Sequence, residues 1–284
     1  MPSPPDPEPI ATVLPVDLLH LDFGSVSHPG KVRSENEDRC LVAPEIGVFA
    51  VADGMGGHED GALASAAVVD ALASIGAAVS AADLMARLED RILRANAELR
   101  AAGRARGGVI GTTVAVLLIF GRDFACVWSG DSRVYRVRDG AIAQLTRDHT
   151  EGRDLFERGI LSAAEMATWP RRHVLTRAVG ASDRLEMDLE QGVVLPGDAF
   201  VICSDGLTGH VADRDILAAA EASAPQAACD ALLELVLARG ASDNVTMVIL
   251  RCGHRTGSAE GRGSADSGTT VMRRARPAAE GGVR

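Results

Sequence analysis

An α+β fold, with antiparallel sheets covered by helices, is predicted by three features of the sequence. Seven short apolar runs rich in Val, Ile and Phe follow one another, several across very short turns. Three longer stretches carry Leu, Ile and Val at spacings of three and four, the period of a helix with one buried face. The two kinds of segment come in groups and not in strand–helix alternation, which argues for antiparallel pairing over βαβ units.

In chain order, residues 1–20 begin MPSPPDPEP, a proline-studded lead that cannot propagate helix or sheet and reads as disordered. IGVFAVAD (46–53) is the first strand. Two helices follow, over 62–79 and 83–103, the second capped by Gly103. TTVAVLLIF (112–120), FACVWSGD (124–131), SRVYRVR (132–138) and AIAQLT (141–146) are strands, the last two joined by an Asp139-Gly140 hairpin turn. Residues 146–181 are polar, basic and too long for a simple turn. They read as a flap over a surface site, about 147–175, with one short capped helix at SAAEM (162–166). DAFVICSD (198–205) and NVTMVIL (244–250) are strands, and 226–240 is a helix closed by Gly240. From 253 the chain is dense in Gly, Ser and Arg and reads as a disordered tail, leaving 21–252 as a single domain.

Composition removes several functions. The 284 residues carry 29 Lys and Arg against 39 Asp and Glu, a net charge of −10, and few aromatics; neither suits a nucleic-acid partner. No apolar run reaches the ~18–20 residues of a membrane span, so no membrane partner is expected. Cys40, Cys126, Cys203, Cys229 and Cys252 are widely spaced and odd in number, as buried free thiols of a cytoplasmic protein would be. Lys31 is followed by Val32 and not by Ser or Thr, excluding a Walker A loop; no Gly-x-Ser-x-Gly elbow and no Cys-x-x-Cys pair occurs.

What remains is a set of carboxylates at the ends of apolar runs. Asp53 ends FAVAD, Asp131 ends CVWSGD, Asp205 ends FVICSD, and Asp243 precedes NVTMVIL. Turn chemistry accounts for any one of them. It does not account for four together, beside the acidic run Glu35, Glu37, Asp38. If the strands are neighbours the carboxylates converge, and either their pKa values rise sharply or divalent cations neutralise them. Oxygen ligands without His or Cys select Mg²⁺ or Mn²⁺ over zinc.

The ordered blocks RSENEDRC (33–40), VADGMGGHEDGALAS (51–65), GTTVAV (111–116), WSGDSRVYRVRDG (128–140), LTRDHT (145–150), VLTRAVG (174–180), ICSDGLT (202–208) and SDNVTMVIL (242–250) resemble the metal-dependent protein phosphatases. These are the type 2C serine/threonine phosphatases, here similar to their compact bacterial branch over about residues 22–252. The resemblance implies a four-layer α-β-β-α sandwich, two antiparallel sheets flanked by helix pairs, with two core Mn²⁺ or Mg²⁺ ions at one end between the sheets. It implies that Asp53 bridges the ions, that Gly54 offers its carbonyl to one, and that Asp205 and Asp243 hold the other. Glu37 and Asp38 match outer carboxylates that orient water, Asp131 with Asp205 matches the site of a third ion, and Arg33 matches the arginine that clamps phosphate. The activity implied is hydrolysis of phosphoserine and phosphothreonine by hydroxide generated between the ions, with Asp53, Asp205 and Arg33 in the reaction. The implied partners are phosphorylated proteins and an opposing bacterial Ser/Thr kinase, the enzyme acting as a monomer in signal transduction.

Met55 departs from the histidine that many eukaryotic members carry after Asp-Gly; a thioether cannot donate a proton, so leaving-group protonation is expected from water near Asp131. His58, His149 and His173 read as structural or solvent-facing, Thr112 and Thr113 as strand-entry hydrogen bonding, Trp128 as core and Trp169 as flap packing. Two other readings stand beside the phosphatase: an inactive phosphoprotein-binding module on the same fold, and a two-metal nuclease. Retention of Asp53, Asp205 and Asp243 argues against the first, and the charge of −10 against the second.

Overall fold

Strands that are apolar at nearly every position need both faces covered, and two stacked antiparallel sheets do this here. The computed structural model describes residues 19–56 and 58–254. The chain runs through β1 (Leu19–His28), β2 (Asp38–Ala43), β3 (Val48–Met55), α1 (His58–Ala73) and α2 (Ala81–Arg106). Strands β4 (Gly111–Thr112), β5 (Val114–Phe120), β6 (Asp123–Ser129), β7 (Arg133–Arg138) and β8 (Ala141–Gln144) follow. The flap helices α3 (Glu151–Glu157) and α4 (Ala163–Thr168) lead to β9 (Asp188–Val193) and β10 (Ala199–Cys203). The last elements are α5 (Asp205–Thr208), α6 (Asp213–Ala222), α7 (Pro225–Ala238) and β11 (Val245–His254). Of the predicted lead over 1–20 and tail over 253–284, residues 1–18 and 255–284 lie outside the described residues, as does the side chain of His58, whereas 19–20 and 253–254 belong to β1 and β11.

One sheet has the order β1-β11-β10-β7-β8, the other β2-β3-β5-β6-β9 with β4 beside β3, and every pairing is antiparallel. The two-residue period of a strand divides neighbours between cores. Phe49, Val51, Leu117, Phe200, Ile202, Val248 and Leu250 point between the sheets. Val48, Ala50, Val116 and Leu118 pack outward on α1 and α2 through Val68, Leu72, Leu88 and Ile92. Val201, Met247 and Ile249 pack the other way on α6 and α7 through Ile216, Cys229, Leu232 and Val236. Helices, sheet, sheet and helices thus form four layers around three apolar seams, the architecture expected. Among the described residues no helix is long and apolar enough to cross a membrane.

Several local expectations need correction. Strands β1, β2 and β9 and helices α3, α5 and α6 have no counterpart in the sequence reading. β9 is the edge strand DLEQGV, mostly exposed, so it carries no apolar run. The first helix covers 58–73 and not 62–79: the chain leaves it through Gly76 at φ +70, and Ser80 caps α2 by accepting from Asp83 N. α2 passes through Gly103, which is buried where a Cβ would stand 2.7 Å from the Gly108 carbonyl oxygen, and Gly107 at φ +74 is the actual cap. Asp139 (φ +51) and Gly140 (φ +73) make the expected hairpin turn, and Ser162 with Glu165 forms a capping box at α4. The five cysteines are free and four are buried.

Candidate functional site

Antiparallel register sets Asp38 on β2 directly opposite Asp53 on β3. Opposed residues project from the same face, here the face that carries Val51 and Phe49 into the gap between the sheets. Like charges in that position repel. The backbone of Asp53 is held regardless: its N–H donates to Thr113 Oγ1 (3.0 Å), and its carbonyl accepts from Thr113 N (2.8 Å) and Thr112 Oγ1 (2.9 Å). Thr112 and Thr113 therefore serve strand-entry hydrogen bonding, as read from the sequence. Gly54 has no room for a side chain, since a Cβ would overlap the Gly61 carbonyl oxygen on α1.

The second sheet faces this pair. Asp205 opens α5 just after β10, and Asp243 lies two residues before β11. Asp131 sits in the crossover from β6 to β7, where the chain passes from one sheet to the other, and is 7% exposed. Ser204 Oγ donates across the gap to Asp38 Oδ2 at 2.7 Å. Asp38 Oδ1, fully buried, has no hydrogen-bond partner. A cavity of about 280 Å³ opens among these groups, lined by Asp53, Gly54, Asp131, Asp205 and Asp243 together with Arg33 and Glu37. Asp38 lies behind that lining. Of the eight residues singled out in the sequence, seven share one cavity and the eighth supports it from behind.

Electrostatics at this point are severe. Burial, then Asp38, Asp205, Asp131 and Asp243, push the Asp53 carboxyl far above the ordinary carboxylate range. Burial raises Asp38 to about 6, against the Ser204 hydrogen bond that favours its charged form. Burial, Asp205 and Asp148 raise Asp131 to about 8, and burial with Asp243 raises Asp205. Groups so placed either hold protons or hold cations. The donor set is oxygen alone, and a buried carboxylate oxygen stands unpartnered, a combination that suits hard divalent ions. Among the described residues no three or more His, Cys, Asp or Glu side chains close into a ready cage.

Arg33 Nη2 donates to Asp243 Oδ2 at 2.9 Å, so an arginine lining this cavity rests on one of its acids. Sequence reasoning missed Asn244, whose buried side chain bonds Glu37, Pro29 and Glu35. It also missed Ser204. Neither carries a charge or a pattern, and their partners lie more than 160 residues away. α5 packs against β11 through Gly206, where a Cβ would overlap the Asn244 carbonyl oxygen. Gly206→Ala is expected to destabilise the fold by roughly 2–3 kcal/mol through overpacking; an unchanged urea midpoint would contradict that contact.

A larger cavity of about 670 Å³ adjoins the first and shares Asp131, His173, Asp205 and Asp243 with it. The flap supplies one wall through Arg153, Met166 and Arg172. Trp169 Nε1 donates to Glu151 Oε1 (3.1 Å), joining α4 to α3. His149 is wholly buried and stacks on Trp128; it accepts from Gly130 N at Nδ1 (3.2 Å) and meets Asp188 at Nε2 (3.0 Å). The tautomer with its proton on Nε2 satisfies both bonds, and burial lowers its pKa. His149 is structural, as read. His173 is exposed and faces both cavities.

Comparison with known proteins gives one consistent result. A profile described as protein phosphatase 2C matches residues 31–233. Serine/threonine protein phosphatase PstP of Mycobacterium tuberculosis is 34% identical over 233 residues, covering 81% of this chain and 45% of that protein. The chain thus spans less than half the length of that relative. PppA, described as a key regulatory component of T6SS in Pseudomonas aeruginosa, has a solved structure 38% identical with a TM-score of 0.78, covering 83% of this chain and 99% of that one. The catalytic domain of PstP, solved in complex with 2 manganese ions, is 33% identical with a TM-score of 0.74, covering 83% and 99%.

Proposed function

This chain belongs to the protein phosphatase 2C family, and from that membership we propose that it hydrolyses phosphoserine and phosphothreonine in proteins with the help of Mn²⁺ or Mg²⁺. The observation that carries the reading is the convergence of Asp53, Asp205 and Asp243, from two different sheets, on one cavity. In this reading Asp53, the Gly54 carbonyl, Asp205 and Asp243 would hold two ions, and Asp131 with Asp205 would hold a third. Bound ions supply Lewis-acid stabilisation of developing charge and a water of lowered pKa.

The residues of the chain do the rest. Glu37 lines the cavity and Asp38 underlies it, placed to accept hydrogen bonds and to orient what the ions hold. Arg33 presents a planar fork that matches two phosphate oxygens. Met55 lines the same cavity and has no proton to give, so the leaving-group proton comes from water on the Asp131 side. The flap wall of the larger cavity would receive the polypeptide around the phosphoresidue. Free cysteines accord with a cytoplasmic setting, where a serine/threonine kinase would supply the substrate.

Hydrolysis of a phosphothreonine peptide that requires Mn²⁺ and stops with EDTA tests the reading, with duplex DNA as the nuclease control. Peptide binding without turnover would favour the inactive module. Arg33→Ala is expected to lower kcat/KM about 30-fold, mostly through KM, for the loss of about 2 kcal/mol of charge-assisted bonding. Mn²⁺ affinity, measured by calorimetry, should change little, because Arg33 and Asp243 are both exposed enough for solvent to screen their pair. Equal losses in the two measurements would remove Arg33 from the phosphate.

A further inference from the structure

The segment carrying Arg33 has little regular structure to hold it. Residues 29–37 form turns and bends between β1 and β2, and 31–35 are exposed. Yet a clamp for phosphate needs a fixed origin. The segment's densest tie comes from Asn244, the residue just before β11, the strand paired with β1. Asn244 is 6% exposed, and its amide is fully used: Oδ1 accepts from Glu37 N (2.8 Å), and Nδ2 donates to Pro29 O (3.0 Å) and Glu35 O (2.8 Å). The two donated bonds bracket Arg33 in sequence, and the accepted bond fixes the backbone of Glu37. Lys31 N also reaches Ala241 O at 2.8 Å, and Gly30, at φ +79, comes so close that a Cβ would overlap the Asp243 carbonyl oxygen.

We propose that Asn244 is a positioning residue that sets the Arg33 and Glu37 loop against Asp243, so that the phosphate clamp and the carboxylate floor keep one spacing. No other uncharged side chain supplies both an acceptor and two donors at that reach. Aspartate retains the acceptor alone, and alanine retains nothing. The proposal rests on the reading of Arg33 as the phosphate clamp.

Asn244→Ala is expected to raise KM for a phosphothreonine peptide about 10-fold with kcat within about threefold, the loss of one or two net hydrogen bonds expressed at the clamp. Because Asn244 acts on the Arg33 and Glu37 loop, the loss in the double variant Arg33→Ala/Asn244→Ala should fall well short of the product of the two single losses. Amide hydrogen exchange over 29–38 should quicken in Asn244→Ala while the core strands stay protected. Asn244→Asp, close in shape, carries the same cycle if the alanine variant does not fold. Additive losses, a fall in kcat at constant KM, or unchanged exchange over 29–38 would each overturn the proposal. A wild-type chain inert towards the peptide in Mn²⁺ would overturn the phosphatase reading instead, and the exchange experiment would then decide the positioning role alone.

Discussion

Asp53→Asn is expected to abolish Mn²⁺-dependent turnover and, in EDTA, to make the chain more stable than the wild type. The two effects share a cause. The amide has the shape of the carboxyl, and the bonds that fix residue 53 run through its backbone to Thr112 and Thr113, so the strand stays in place. What goes is a negative charge opposite Asp38 and close to Asp131, Asp205 and Asp243. With ions present, that charge would help to hold them, and its loss would remove several kcal/mol of transition-state stabilisation, roughly 10³-fold or more in kcat. Without ions, the folded chain must keep a proton on this carboxyl that the unfolded chain has already released, and that opposes folding near neutral pH. Thermal melting in EDTA should therefore rise by several degrees while activity vanishes. A variant that lost activity and also melted lower in EDTA would mean that Asp53 is a structural acid, satisfied by partners other than cations.

How far the sequence exposed this centre depends on the kind of interaction. The fold class was legible because runs such as TTVAVLLIF are apolar on both faces, and only a covered sheet accommodates them. The aspartates were legible because four carboxylates at the ends of such runs exceed what turns require. Register was not legible: nothing in the order of residues says that Asp38 and Asp53 stand opposite each other, yet that pairing creates the repulsion. Nor were Asn244 and Ser204, whose importance lies in bonds to residues 166–215 positions distant. Edge strands escaped for a different reason. β9 faces solvent and follows no apolar pattern, so its place is decided by pairing with β6. Gly103 misled because a glycine near a helix end usually caps it; here close packing of α2 against the Gly108–Ile110 backbone requires the missing side chain inside the helix.

The electrostatic argument also fixes a sign for pH. A carboxyl whose folded pKa lies above its unfolded value, near 3.8, holds a proton in the native state that the unfolded chain has already released. Between those two values the native state binds more protons, so stability falls as pH rises. Asp38, raised to about 6, and Asp131, raised to about 8, put that window between about pH 4 and 8. Asp53 and Asp205 shift in the same direction. Carboxylates held low by arginines, such as Asp83 beside Arg87 and Asp215 beside Arg239, act below the window; buried His149, its pKa lowered, opposes the fall below pH 6.5. In EDTA the melting temperature is therefore expected to fall from pH 5 to 8; Asp38 alone contributes roughly 1 kcal/mol of this, between pH 5 and 6, on the order of 2–4 °C. Saturating Mn²⁺ should remove the slope, because ions bind the ionised carboxylates in competition with protons and stabilise only the folded chain. The gap between the Mn²⁺ and EDTA curves should thus widen steadily with pH and narrow again in Asp53→Asn. Parallel curves, or an EDTA curve that climbs from pH 5 to 8, would show that these carboxylates are reconciled inside the fold without a cation.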